Sequence, residues 1–66
     1  MSGKLLTKRQ RECLALAREG KTSLQIAASL GLSYRTVNQH IGEACKRLKA
    51  RNRAQAVAEA VLCGEI

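Results

Sequence analysis

Proline, tryptophan and phenylalanine are absent from this chain of 66 residues, and Tyr34 is its only aromatic residue. Strands favour aromatic residues, so their scarcity argues against a sheet and favours an all-α domain rich in Ala, Leu, Arg and Lys. No apolar run approaches the roughly 18 residues that a membrane-spanning helix needs. An enzyme is not expected either, because His40 is the only histidine and no glycine-rich phosphate loop is present.

Cysteine is also sparse and has no metal-site spacing. Cys13, Cys45 and Cys63 are odd in number and lack a CxxC arrangement. We interpret them as reduced, buried, small apolar residues of a cytoplasmic protein, and not as metal ligands or a disulfide framework. No metal and no cofactor are predicted.

Acidic residues are few, and the excess of basic residues is uneven. Twelve Lys and Arg against five Asp and Glu give a net charge of +7, which favours a polyanion such as nucleic acid or an acidic membrane surface. Residues 1–21 carry six basic and two acidic groups, and residues 35–53 carry six and one. Residues 22–34 carry no charge, and residues 54–66 carry only two acidic groups. The neutral stretch therefore lies between two cationic segments.

Four helix starts can be identified from capping residues. Thr7 with Gln10, and Thr22 with Gln25, have the Thr-x-x-Gln form of a capping box. Ser33 offers a third N-cap, and a fourth helix starts after residue 52. Residues 1–4 are predicted to be disordered and residues 5–66 to form one domain. The apolar spacing predicts four helices, at about Lys8 to Glu19, Ser23 to Leu30, Tyr34 to Leu48 and residues 53–63.

The second and third helices have the spacing of a helix-turn-helix motif. Ala27 is small because the next helix crosses over it, and Gly31 supplies the positive φ that the turn requires. Val37 and Ile41 would then anchor the third helix from behind. This leaves its other face free to enter the major groove of DNA.

The predicted free face of the third helix carries amides in its first half and cations around them. It consists of Arg35, Asn38, Gln39, Gly42, Lys46 and Lys49. An Asn or Gln amide can donate and accept at once, which matches the hydrogen-bonding edge of adenine. The basic residues would bind phosphates at the edges of the contact.

Several segments together resemble the LuxR-type helix-turn-helix DNA-binding domain. They read LTKRQRECL from Leu6, GKTSLQIA from Gly20, GLSYRTV from Gly31 and NRAQA from Asn52, with His40 between the last two. The resemblance implies a four-helix domain that binds a specific double-stranded DNA sequence to regulate transcription. Within the family, the quorum-sensing receptors are the most similar branch, and the response regulators are the close alternative.

The resemblance also assigns roles to positions of this chain. Its base-reading positions correspond to Asn38, Gln39 and Gly42. Arg35, Thr36, Lys46 and Lys49 correspond to positions near the DNA backbone, where the hydroxyl of Tyr34 is a further candidate. Gly42 departs from the pattern because it has no side chain, and Lys49 departs because glycine is frequent there.

The predicted fourth helix is apolar on two faces, which is typical of a helix with two neighbours. We assign Val57, Ala60 and Val61 to a weak homodimer that would bind a pseudo-palindromic site. RNA polymerase is a further candidate partner. The alternative function is a basic amphipathic module that binds a membrane or a protein partner, although its basic residues do not oppose one strongly apolar face. An RNA-binding function is disfavoured, because one tyrosine offers little stacking surface.

Overall fold

The computed structural model describes residues 5–66, so the predicted disorder of residues 1–4 concerns a segment outside the described part. Within residues 5–66 the chain forms four α-helices and no strand. The helices are α1 (Lys8–Arg18), α2 (Ser23–Leu30), α3 (Tyr34–Leu48) and α4 (Arg53–Leu62). The predicted all-α, four-helix fold is confirmed, and each helix end lies within one residue of its predicted position.

Side chains at the helix starts satisfy the free backbone N–H groups of the first turn. Thr7 Oγ1 accepts from the Gln10 N–H at 3.1 Å, and Gln10 Oε1 accepts from the Thr7 N–H at 3.0 Å. Thr22 and Gln25 form the same reciprocal pair at 3.2 and 2.9 Å. Both predicted capping boxes are therefore present, and each fixes where its helix begins.

The core lies where α3 packs against the other three helices. Leu14 of α1, Ile26 of α2 and Val37 of α3 are all fully buried at its centre. Small residues allow the helices to approach closely: Ala44 of α3 and Ala56 of α4 are also fully buried. The third helix is consequently held along one side by the rest of the domain.

Four turns of the described chain contain a residue with positive φ: Gly20, Gly31, Lys49 and Gly64. Gly31 ends α2 with φ +67°, as the helix-turn-helix spacing predicts, and carries no steric cost there. Lys49 ends α3 with φ +55°, and the Ala50 N–H donates to the Cys45 carbonyl at 2.8 Å. A side chain at such a position costs about 1 kcal/mol or more relative to glycine. The turn into α4 therefore has the left-handed geometry that is common at helix C-termini, although lysine is unfavourable in that conformation.

The two ends of the described chain are joined by a buried carboxylate. Glu65 is 8% exposed and accepts hydrogen bonds from the N–H groups of Leu5 and Leu6, at 3.1 and 3.2 Å. The carbonyls of the same two residues accept from Arg47 Nη1 at 3.0 Å and from Arg11 Nη1 at 2.8 Å. The segment before α1 is thus held by α1, α3 and the C-terminal tail together.

The three cysteines differ in exposure. All three are free thiols, but Cys13 is buried, Cys45 is half-buried and Cys63 is exposed. The prediction that all three are buried is therefore wrong for Cys63, which lies at the end of α4 beyond the core. Burial is the main cause that raises the pKa of the Cys13 thiol above its ordinary value.

Candidate nucleic-acid interface

One face of α3 is open to solvent along its whole length. Beside Glu43, which accepts from Gln10 Nε2 of α1 at 3.4 Å, it exposes five residues separated by four, three, four and three positions: Arg35, Gln39, Gly42, Lys46 and Lys49. We call these five residues the α3 stripe. The spacing places them on one side of the helix, over about 21 Å of its axis. Their shared exposure gives the domain a continuous basic ridge.

The opposite face of α3 is fixed by packing. Val37 is fully buried, and Ile41 is 5% exposed. Ala44 and Leu48 continue this buried face to the C-terminal end of the helix. Because every turn of α3 is anchored, the α3 stripe is presented by a rigid element, which favours accurate contact with a ligand.

Asn38 is only partly exposed, whereas the prediction placed it on the free face beside Gln39. Its side chain is half-buried, and its Oδ1 accepts a hydrogen bond from Ser23 Oγ at 2.9 Å. Arg53 Nη2 lies 3.3 Å from the same oxygen. Asn38 is turned toward α2 and α4 because these two donors hold its carbonyl oxygen. Its predicted contact with a base remains a prediction.

Gly42 lies in the middle of the α3 stripe with free space above it. A β-carbon built at this position would meet no atom within 4 Å. Nothing within the described domain therefore requires glycine, although glycine in a helix costs about 1 kcal/mol relative to alanine. The stripe has a flat centre at which another molecule can approach the backbone.

The first turn of α3 adds hydroxyl groups beside the stripe. Tyr34 is 52% exposed. Ser33 Oγ lies 2.8 Å from Thr36 Oγ1 and also accepts from the Thr36 N–H at 3.0 Å. These contacts cap the helix, and Tyr34 is exposed next to Arg35, the first residue of the stripe.

Three arginine side chains outside the α3 stripe already form ion pairs or hydrogen bonds within the protein. Arg9 forms an exposed ion pair with Glu12 at 2.9 Å, and Arg47 donates to the Leu5 carbonyl. Arg53 Nη2 forms hydrogen bonds to Ser23 and Asn38. These three arginines, none of which was predicted on the free face of α3, thus make contacts within the domain.

The fourth helix has one buried face and one exposed face. Ala56 and Ala60 are fully buried in the domain's own core. The assignment of Ala60 to a dimer surface is therefore wrong. Val57 is half-buried against the core, while Val61 is 38% exposed.

The exposed apolar residues of α4 form what we call the α4 stripe: Ala54, Ala58, Val61 and Leu62. Leu62 is 79% exposed and was not among the residues assigned to the dimer.

Residues 5–66 contain no group of three or more His, Cys, Asp or Glu side chains arranged to hold a metal ion. None of the four helices within this range has the length and hydrophobicity that crossing a bilayer requires.

Comparison with known proteins shows similarity to one family over most of the chain. Residues 4–60 match the luxR family of bacterial regulatory proteins. The transcriptional activator VanR of Vibrio anguillarum is 48% identical over 62 residues, which are 94% of this chain and 26% of VanR. The transcriptional activator LuxR of Aliivibrio fischeri is 49% identical over 61 residues, which are 92% of this chain and 24% of LuxR. The chain thus spans about a quarter of the length of these two relatives.

A shorter relative is similar in sequence and in structure. The spore germination protein GerE of Bacillus subtilis is 44% identical over 62 residues, which are 94% of this chain and 84% of GerE. The solved structure of the transcription factor GerE superposes with a TM-score of 0.88 at 33% identity, covering 92% of this chain and 91% of that one. The arrangement of the four helices is therefore shared with a known transcription factor.

Proposed function

The chain belongs to the luxR family of bacterial regulatory proteins, and we propose that it regulates transcription by binding a specific double-stranded DNA sequence. The observation that carries this proposal is the α3 stripe, which is exposed, basic and held rigidly from behind. A helix presented in this way fits the major groove of B-form DNA. The net charge of +7 supplies the long-range attraction to a polyanion.

We assign base contacts to the uncharged centre of the α3 stripe. Gln39 carries an exposed amide that can donate and accept, as an adenine edge requires. Gly42 lets the helix backbone approach the floor of the groove, because it has no side chain. A bidentate contact of this kind discriminates between bases by about 1–3 kcal/mol.

Phosphate binding falls to the charged ends of the α3 stripe. Arg35 lies at its N-terminal end, and Lys46 and Lys49 lie at its C-terminal end. The hydroxyls of Tyr34 and Thr36 add donors beside Arg35. Phosphate contacts position the helix without reading sequence. The division between a neutral centre and charged ends therefore separates specificity from affinity.

A second copy of the chain would cover the α4 stripe. This stripe is small, uncharged and formed by a single helix, so two copies can meet across a two-fold axis. Such a pair would place two reading helices about one DNA turn apart, on a pseudo-palindromic site. The interface is too small to hold a dimer firmly without help. Adjacent half-sites on one duplex would raise the effective concentration of the second copy.

Regulation of transcription places the protein in the bacterial cytoplasm and makes RNA polymerase a candidate partner. It requires contact with DNA and no chemical reaction, so we assign no enzymatic activity to the domain.

The test is selection of bound duplexes from a random pool, followed by titration at several salt concentrations. The selected duplex, a random duplex and anionic vesicles are titrated in parallel. Preference for the selected duplex, with an affinity that falls steeply with salt, is the expected result. Equal affinity for vesicles would favour the membrane-binding alternative and contradict the proposal.

Dimer formation is tested on the same selected site. The full duplex is compared with one truncated to a single half-site, and the number of bound copies is measured by analytical ultracentrifugation. We expect two copies on the full site, bound cooperatively, and one weakly bound copy on the half-site. Independent binding of the two copies would contradict pairing through the α4 stripe.

A further inference from the structure

We propose that Ser23 and Arg53 fix the side-chain amide of Asn38 so that it presents only hydrogen-bond donors to DNA. This inference rests on the proposed function and specifies which base edges one position of α3 can read. It concerns the one amide of α3 that the rest of the domain holds in place.

The three side chains come from three different helices and meet at one oxygen. Asn38 of α3 accepts at Oδ1 from Ser23 Oγ of α2, at 2.9 Å. Arg53 of α4 directs Nη2 at the same oxygen, 3.3 Å away, and also forms a hydrogen bond to Ser23 Oγ. The orientation of Asn38 is therefore set by the packing of α2 and α4 around α3.

The chemistry of the partners fixes which way the amide points. A guanidinium only donates hydrogen bonds, so the Asn38 atom that faces Arg53 must be the oxygen. Ser23 Oγ accepts from Arg53, and its own proton is then directed to Asn38. Reversing the amide would turn its NH₂ group toward the guanidinium, which cannot accept, so the hydrogen bond from Arg53 would be lost.

Burial separates the two ends of the amide. Ser23 is 7% exposed, so the oxygen side of Asn38 faces the interior. Every buried side-chain nitrogen or oxygen of the described residues has a hydrogen-bond partner. The nitrogen of Asn38 makes no such bond within residues 5–66, so it is not fully buried. Its NH₂ group is the part of Asn38 that a ligand can reach.

Asn38 can therefore form hydrogen bonds with fewer base edges than a free amide can. A free Asn amide pairs with adenine by donating to N7 and accepting from N6. Asn38 cannot accept, because its oxygen is already engaged by Ser23 and Arg53. It can donate to O6 and N7 of guanine or to O4 of thymine, whereas adenine offers it N7 alone, beside an N6 donor from which it cannot accept. Asn38 should therefore select guanine or thymine, while Gln39, which is exposed, keeps the full pairing capacity of an amide.

The decisive variant is Asn38→Asp. A carboxylate keeps the acceptors for Ser23 and Arg53, so the network survives, but it has no donor to offer to DNA. Binding sites are selected from a random pool with the wild type and with the variant. We expect the guanine or thymine preference at one position of each half-site to fall about two- to tenfold, as loss of one hydrogen bond predicts, with cytosine gaining in its place.

A second pair of variants tests the role of Arg53 at matched charge. Arg53→Met removes one of the two donors to the amide oxygen and leaves room for it to accept from DNA, whereas Arg51→Met removes the same charge from an exposed residue two positions away. Both should lower the affinity for all duplexes. Only Arg53→Met should also relax the base preference at the Asn38 position, and thermal melts establish that both variants are folded.

The outcomes separate this inference from the proposed function. A wild-type protein that selects no sequence would contradict the proposed function itself. A wild type that selects a site while Asn38→Asp keeps the same preference at every position would overturn only the inference. Adenine as the wild-type choice at the Asn38 position, or equal behaviour of the two arginine variants, would also overturn it.

Discussion

The carboxylate of Glu65 accepts a hydrogen bond from the backbone N–H of Leu6 at 3.2 Å, across 59 positions of sequence. This contact joins the tail after α4 to the segment before α1. It explains why an acidic residue is buried in a basic protein: its oxygens satisfy backbone N–H groups that no helix or strand uses.

Glu65→Ala should lower the free energy of unfolding by about 1–3 kcal/mol, because two backbone N–H groups lose their acceptor. Urea denaturation monitored by circular dichroism measures the change. Glu59→Ala is the matched control, since it removes the same charge from the same end of the chain, and we expect it to change stability by less than half as much. Equal effects would show that charge, and not the contact with Leu5 and Leu6, explains the loss.

Lys49→Gly should have opposite effects on stability and on DNA affinity. Glycine relieves the left-handed backbone at φ +55°, and we expect a gain of about 0.5–1 kcal/mol after its greater freedom in the unfolded chain is counted. Loss of a phosphate contact should weaken binding to all duplexes and reduce the salt slope by about one unit. Unchanged affinity would remove Lys49 from the proposed interface.

Gly42→Ala tests whether DNA binding needs glycine at this position or the domain merely tolerates it. The free domain has space for the methyl group, so the variant should be more stable by about 1 kcal/mol, as measured by thermal melting. On the selected duplex it should bind more weakly, because the methyl group would keep the helix from the groove floor. Higher stability together with unchanged binding would mean that DNA does not approach Gly42 closely.

The cysteines should react in the order of their exposure. At pH 8 a thiol reagent should label Cys63 quickly and Cys13 only as fast as the protein unfolds, with mass spectrometry of the peptides as the readout. Burial raises the pKa of Cys13 above its ordinary value of 9.0. The unfolded chain therefore loses this proton first, so stability should decline only as the pH rises above about 9. Rapid labelling of Cys13 would contradict its burial.

The helices were predictable because local signals agree with the global packing. Thr7 and Thr22 each occur three positions before a glutamine, and Gly31 and Gly64 follow apolar periodic segments. These signals depend on residues within one turn of each other, so the sequence contains them directly. The exposure of Gln39 and the burial of Val37 follow from the same helical period.

The errors concern contacts between elements that are distant in sequence. Helical spacing alone placed Asn38 on the free face, but Ser23 and Arg53, each 15 positions away, draw its oxygen inward. Ala60 was assigned to the wrong face because small apolar residues surround α4, so periodicity could not show which side meets the core. The role of Glu65 depends on a partner 60 positions away, and no local pattern predicts that pairing.

The most direct test of the account compares Gln39→Ala with Lys46→Ala on the selected duplex and on a random duplex across a salt series. Gln39→Ala should lower the ratio of the two affinities while leaving the salt slope unchanged. Lys46→Ala should leave the ratio unchanged, weaken both duplexes alike and flatten the slope by about one unit. If the two variants change the ratio and the slope in the same way, the α3 stripe does not divide base reading from phosphate binding, and the account is contradicted.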